Sequence, residues 1–159
     1  SLDENGGVIV NEKLETSVPG IYAVGNCTSD RNGSLRTSSL RTAGLEIART
    51  GLTQKEAVGS RRRVKSVTAS GNDRPGVCPN PNRVTIKLVY DADTRQILGA
   101  QAWGKKNAAA RINAIAVAVA AGMTVEQLGQ VGFVYSSSAS AIWDPIQIVC
   151  NKAGKRGKE

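Results

Sequence analysis

Arg83-Val84-Thr85-Ile86-Lys87-Leu88-Val89-Tyr90 sets Val84, Ile86, Leu88 and Tyr90 at every second position, the period of a half-buried strand. Asp91-Ala92-Asp93-Thr94-Arg95 follows, where short polar side chains can bond their own backbone and turn the chain. A second apolar run, Ile97-Leu98-Gly99-Ala100-Gln101-Ala102-Trp103, then returns. Together the three pieces predict an antiparallel β-hairpin.

Working upstream, residues 63–69 are β-prone, and 70–82, with three prolines and two glycines, reads as a loop. Residues 35–42 and 45–49 read as strands, and Thr53-Gln54-Lys55-Glu56 has the T-x-x-E form that starts a helix. Further back, 7–10 and 21–24 are short β-prone runs flanking the Pro19-Gly20 turn, and the polar loop 26–34 marks a domain boundary.

Working downstream, Ile112, Ile115, Ala116 and Val119 recur at helical spacing after Asn107, and Gly122 sits where a left-handed cap ends a helix. This alanine-rich helix is expected to be covered on most sides by the sheet or a second copy. Thr124-Val125-Glu126-Gln127 opens another helix through about residue 130, and residues 135–141 form a serine-dominated loop. Asp144-Pro145 opens the last helix, expected to end at Gly154 before a disordered basic tail. The order predicts an α+β fold, an antiparallel sheet with helices packed on one side. Its parts are expected at 1–30, 31–153 and a tail at 154–159.

Composition narrows the chemistry. Among 159 residues there is no histidine, which excludes Ser-His-Asp and Cys-His catalysis and histidine-containing zinc sites. Cys27, Cys78 and Cys150 are far apart, with no C-x-x-C, so no metal site or disulfide framework is signalled and a reducing cytoplasm is expected. The apolar stretch 114–123 is too short to span a bilayer. The net charge of +8 raises nucleic acid as a partner, but Arg61-Arg62-Arg63 with Lys65 and the basic tail contain no aromatics to stack bases, so solvated charge is expected. The chain opens on Ser1 and its single methionine is Met123, as expected of a piece of a longer protein.

Gly7-Val8-Ile9-Val10-Asn11-Glu12 with Thr16-Ser17-Val18-Pro19-Gly20-Ile21-Tyr22-Ala23-Val24-Gly25 resembles the last FAD-contacting motif of the pyridine-nucleotide-disulfide oxidoreductases. Ala43-Gly44-Leu45, Ala48-Arg49-Thr50-Gly51-Leu52-Thr53, Ile97-Leu98-Gly99-Ala100-Gln101, Ala121-Gly122-Met123-Thr124-Val125 and Asp144-Pro145 resemble that family's C-terminal dimerisation domain, in its NADH oxidase, NADH peroxidase and coenzyme A-disulfide reductase branch. The resemblance implies a homodimer and, in the complete enzyme, FAD and NAD(P)H acting on a disulfide, peroxide or oxygen. It implies FAD contacts at Gly25, Asn26 and Cys27, and a catalytic role for Tyr135 across the dimer.

Departures from the family pattern shape the rest of the expectation. Asn26 stands where relatives usually carry Asp, keeping a hydrogen-bonding group without its charge. No G-x-G-x-x-G and no counterpart of the redox cysteine are present, and the absent histidine excludes glutathione-reductase-like acid chemistry. Ser136-Ser137-Ser138-Ala139 replaces the segment that carries prolines and a second aromatic. The chain alone is therefore expected to bind no cofactor and to be inactive; a non-enzymatic homodimeric module derived from the family is the alternative.

Overall fold

The computed structural model describes residues 1–4, 6–29, 35–60, 62–138 and 140–156, with the side chains of Asn26 and Arg156 left aside. The chain forms two compact units, Ser1–Arg36 and Thr37–Glu159.

The larger unit is a five-stranded antiparallel sheet in the order β1-β2-β5-β4-β3. Its strands are β1 (Ser38–Thr42), β2 (Leu45–Gly51), β3 (Val64–Asn72), β4 (Arg83–Asp91) and β5 (Ile97–Gly104). The hairpin at its centre forms as the alternation requires. Ile86 pairs Ala102 and Leu88 pairs Ala100, with a register shift between Val89 and Tyr90. Asp91 closes the turn by accepting from the backbone N–H groups of Asp93 and Thr94 at 2.8 and 3.0 Å.

Three helices follow the hairpin: α2 (Ala108–Ala120), α3 (Val125–Gly129) and α4 (Pro145–Arg156). Val84, Ile86, Leu88 and Tyr90 on one face of β4 pack with Ile112 and Ile115 of α2 and Ile146 and Val149 of α4 in the main core. Burying one such side chain contributes about 1.5–3 kcal/mol, so this interleaved layer dominates the unit's stability. The intervening residue Val89 points the other way, into a smaller cluster with Leu98 and Ala57 of α1 (Gln54–Val58).

The helices that carry a capping signal in the sequence start as it predicts. Thr53 and Thr124 each form a capping box, with Glu56 and Gln127 respectively. Asn107 supplies no cap to α2; its side chain turns to Asp73 at 2.8 Å instead. The first turn of α2 is satisfied from β2, where Glu46 accepts from the N–H groups of Ala108 and Ala109 at 3.3 and 3.1 Å. A carboxylate there also opposes the positive end of the helix.

Four expectations need correction or limits. Residues 7–10 and 21–24 form no strands; they make only isolated bridges such as Val10 with Thr16 and Glu15 with Tyr22. Neither run meets a partner long enough to build a ladder, and Ile21, Tyr22 and Val24 stay more than half exposed. Helix α4 runs through Gly154 to Arg156, because one glycine in a last turn costs only about 1 kcal/mol. Within one copy the sheet covers only one stripe of α2, and Val117 on the opposite face is 69% exposed. Residues 30–34 of the expected boundary loop, Arg61 and residues 157–159 lie outside the described residues.

Glu56 ties α1 to the sheet. Its carboxylate accepts from the Thr53 N–H at 2.6 Å and from Arg49 Nη2 at 3.1 Å. Burial works against its charge, but the Thr53 bonds and the Arg49 guanidinium outweigh it and hold the carboxyl at about 2, below its ordinary 4.5. A carboxyl whose folded pKa lies below its unfolded one stabilises fully above pH 4.5 and loses that contribution as pH falls toward 2. Thermal melts of Glu56→Gln are therefore expected to show a shallower loss of Tm than the parent over that window. Parallel acid limbs for the two proteins would contradict the assignment.

Candidate functional site

The residues singled out for chemistry fall in both units, and each group is described within its own. In the smaller unit Gly25–Cys27 forms a single 3₁₀ turn. The N–H of Val8 donates to the Cys27 carbonyl at 2.7 Å and the N–H of Ser29 to the Val8 carbonyl at 2.8 Å, holding the turn beside residue 8. Gly25 has φ +84°, and a Cβ built there would meet nothing within 4 Å. Its conformation requires glycine and its flank is open, the two properties a backbone needs to lie against another molecule. Cys27 is exposed, its thiol donating to the Val24 carbonyl at 3.2 Å. The Asn26 side chain is outside the description.

In the larger unit Tyr135 lies on the segment between α3 and α4. Val134, Tyr135, Ile142 and Trp143 are 78%, 55%, 69% and 58% exposed, an unusual density of apolar surface for a connection. Its ends are nonetheless fixed. The Gln147 amide oxygen accepts from the Asp144 N–H at 3.1 Å, while its nitrogen donates to the Val131 carbonyl at 3.3 Å, so one side chain closes the loop. Within it, Ser140 bridges back to Ser136, and the Cys78 thiol donates to the Ser137 carbonyl at 3.1 Å.

Asp144 anchors the loop's far end. Its Oδ1 accepts from the Ile146 N–H at 2.9 Å, capping α4, and its Oδ2 accepts from Arg111 Nε and Nη2 at 3.2 and 3.0 Å. Arg111 comes from α2, and both side chains are 12% exposed. Alongside, Asp73 at the end of β3 is 1% exposed and accepts from the Asn82 N–H, the Asn82 amide and the Asn107 amide at 2.8, 3.0 and 2.8 Å. Burial disfavours its charge, but these donors and Arg74 hold its carboxyl below the usual range. Asp144 caps α4 as its place before Pro145 predicts, but Arg111, Asp73 and Gln147 escaped the sequence reading. Only Gln147 carried a local signal, the D-x-x-Q spacing of a capping box.

The three thiols are free. Burial, with Glu126 nearby, pushes Cys150 up to about 12, so it stays protonated and unreactive near neutrality. Among the described residues, no group of three or more Cys, Asp or Glu side chains is placed to hold a metal, and no helix is long and apolar enough to cross a membrane. In the basic run, Arg63 pairs with Asp93 at 2.7 Å.

Comparison with known proteins gives these features a family. Residues 38–145 match the model of the pyridine nucleotide-disulphide oxidoreductase dimerisation domain, and residues 1–54 match that of the pyridine nucleotide-disulphide oxidoreductases. The chain is 32% identical to an NADH oxidase of Streptococcus pyogenes, over 80% of this chain and 36% of that protein. It is 26% identical to a CoA-dependent NAD(P)H sulfur oxidoreductase of Pyrococcus furiosus, over 93% of this chain and 41% of that protein. It therefore spans about two fifths of the length of these relatives. A solved NAD-dependent persulfide reductase from A. fulgidus shares the fold at a TM-score of 0.86 and 24% identity, covering 99% of this chain and 36% of that one. With two thirds of the chain under the dimerisation model and its strands and helices in the same fold, this protein belongs to the pyridine nucleotide-disulphide oxidoreductase family and carries its dimerisation domain.

Proposed function

We infer that the chain serves an FAD-dependent NAD(P)H oxidoreductase as the part that brings two copies together. The observation that carries this reading is the 131–143 loop, fixed at both ends by Gln147 yet presenting Val134, Tyr135, Ile142 and Trp143 to the outside. A closed loop with that much exposed apolar surface is built to be covered by another protein surface. A two-fold contact lets the same patch serve both copies.

Bound flavin would accept hydride from NAD(P)H and pass electron pairs to a disulfide, peroxide or oxygen; a relative named as a sulfur oxidoreductase and another named as an NADH oxidase support this class of chemistry. Within this chain, Gly25, Asn26 and Cys27 supply one edge of the FAD site: Gly25 clears the backbone, and Asn26 offers an amide to a hydroxyl of the cofactor. Tyr135 offers a phenol hydroxyl that donates a hydrogen bond, and on transfer a proton, at the partner copy's reacting atom. With no histidine in the chain, that hydroxyl is the proton carrier the loop has.

The test joins light scattering after size-exclusion chromatography to an absorption spectrum after soaking with excess FAD and desalting. A colourless dimer is the expected result, FAD being held only in the complete enzyme. A dimer that retains a flavin band would instead mean that the Gly25 edge binds FAD by itself. A monomer at micromolar concentration would overturn the reading.

A further inference from the structure

The two faces of the sheet are finished differently. One is covered by α2 and α4, and α1 packs beside Val89 and Leu98 at one end of the other. At the opposite end of that second face lies a shallow concavity of about 350 Å³, lined by Leu45, Arg83, Thr85, Trp103 and Lys105. Register places these residues. Trp103 pairs Thr85 on one side and Ile47 on the other, while Val84 and Glu46 both pair Gly104. Arg83 and Lys105 stand one step beyond the Val84–Gly104 pair, on the same face as Trp103 and about 7 Å along the strands from it.

Like charges placed opposite each other on neighbouring strands repel and cost stability unless a counter-charge joins them. None does. Among the described residues neither the Arg83 nor the Lys105 side chain has a hydrogen bond or an ion pair. The nearby carboxylates are committed elsewhere: Glu46 caps α2, and Asp73 is buried among Asn82, Asn107 and Arg74. Trp103 is 37% exposed, and its indole N–H has no acceptor among the described residues. The concavity therefore offers an aromatic platform, donors and positive charge, and no acceptor charge of its own.

We propose that this concavity binds a mononucleotide, its base stacked on Trp103 and its phosphate held between Arg83 and Lys105. Stacking on an aromatic ring accepts any base, and paired cations two residues beyond the ring meet a phosphate through charge-assisted hydrogen bonds. Arg83 adds the planar fork that phosphate oxygens fit. The volume is at the small end for ligand sites, about 300–1,000 Å³, which suits one base with its phosphate and not a dinucleotide. The site does not rest on the dimerisation reading: its residues come from β2, β4 and β5 of one copy and from Pro81, Asn82 and Lys105 beside their ends, none of them in the 131–143 loop.

The larger cavity, about 610 Å³ between α3 and α4, is a weaker candidate: of its two cations, Arg95 is already engaged by Glu126, the Ala153 carbonyl and the Tyr90 ring, and Lys155 shares the lining with the carboxylate of Glu126, with no aromatic ring in it.

The experiment uses the full chain carrying Trp143→Phe, which leaves Trp103 as its one indole, titrated with adenosine 5′-monophosphate while fluorescence is followed. Saturable quenching is expected, with binding at least tenfold tighter than for adenosine or for inorganic phosphate. Arg83→Ala with Lys105→Ala, both exposed positions that leave the core intact, is expected to weaken the monophosphate at least tenfold and adenosine little. Trp103→Leu, which removes the fluorescent reporter and is therefore titrated by calorimetry beside the parent, is expected to weaken both. Four results would each overturn the proposal: no saturation, phosphate binding as tightly as the nucleotide, affinity unchanged in the double variant, or an eight-residue oligo-dA binding at least tenfold tighter than the monophosphate. The last would make the patch a surface for single strands.

Discussion

Gly99→Ala is expected to cost the larger unit about 3 kcal/mol or more, the upper range for forcing extra volume into a packed site, out of a total that for domains of this size is only about 5–15 kcal/mol. A Cβ at Gly99 would stand 2.3 Å from the Leu52 carbonyl oxygen, 2.5 Å from the Leu52 nitrogen and 2.7 Å from the Thr50 carbonyl oxygen. All three atoms are backbone, so no side chain can swing away. Gly51, its register partner on β2, is equally confined: it has φ +62° and a Cβ there would meet the Leu98 carbonyl oxygen at 2.3 Å. The two glycines let β2 and β5 close on each other, and the Leu52 N–H reaches the Leu98 carbonyl at 2.9 Å across the same spot. Pushing the strands apart would lose that bond and disturb Leu98 and Leu52, which pack with Ala57 beneath. Urea denaturation gives the comparison. Gly76→Ala, where a Cβ would meet nothing within 4 Å, is the control and should move the midpoint little. Equal midpoints for the two variants would show that the sheet tolerates separation at β2 and β5.

The contrast between Gly99 and the hairpin around it shows what a sequence displays. Alternation at Val84, Ile86, Leu88 and Tyr90 and the turn at Asp91 are properties of consecutive residues, and both are present as read. The capping boxes at Thr53 and Thr124 are equally local. Gly99 was only one letter in an apolar run, because the contact that demands a glycine comes from Thr50 and Leu52, nearly fifty residues earlier. The cap of α2 was hidden in the same way, since Glu46 supplies it from β2. The N-terminal runs failed for the opposite reason: 7–10 and 21–24 have the right composition, but a strand is made by its neighbour, and none of sufficient length adjoins them. At the candidate site, Tyr135 could be picked out by its place in the family pattern. What holds its loop could not, because Gln147, Asp144 and Arg111 meet only once α2 and α4 have packed on the sheet.

That convergence makes the Arg111–Asp144 pair the other point where one substitution should have a large effect. Removing one member of a buried pair strands the other's charge, at a cost of about 3–5 kcal/mol, and these side chains are nearly as enclosed as such a pair requires. The 12% exposure of both side chains puts the loss of the pair toward the lower end of that range, and Asp144→Ala adds to it the loss of the cap on α4, worth about 1 kcal/mol by itself. Asp144→Asn separates the two roles: its amide oxygen can still accept from the Ile146 N–H, while the charge facing Arg111 is gone. The order of stability should therefore run parent, Asp144→Asn, Asp144→Ala, with a double cycle against Arg111→Met assigning the coupling between the charges. If Asp144→Asn matches the parent, the cap accounts for the whole effect and the ion pair contributes nothing. The same variants separate stability from loop fixation. Asp144 ends the loop that Gln147 closes, so Asp144→Ala should bring faster proteolytic cleavage within residues 131–143 under conditions where the sheet remains folded. A loop that stays protected in Asp144→Ala would mean that Gln147 and the Cys78 contact hold it without Asp144. Faster cleavage accompanied by a weaker dimer would instead link this buried charge pair, through the loop it anchors, to the association of two copies.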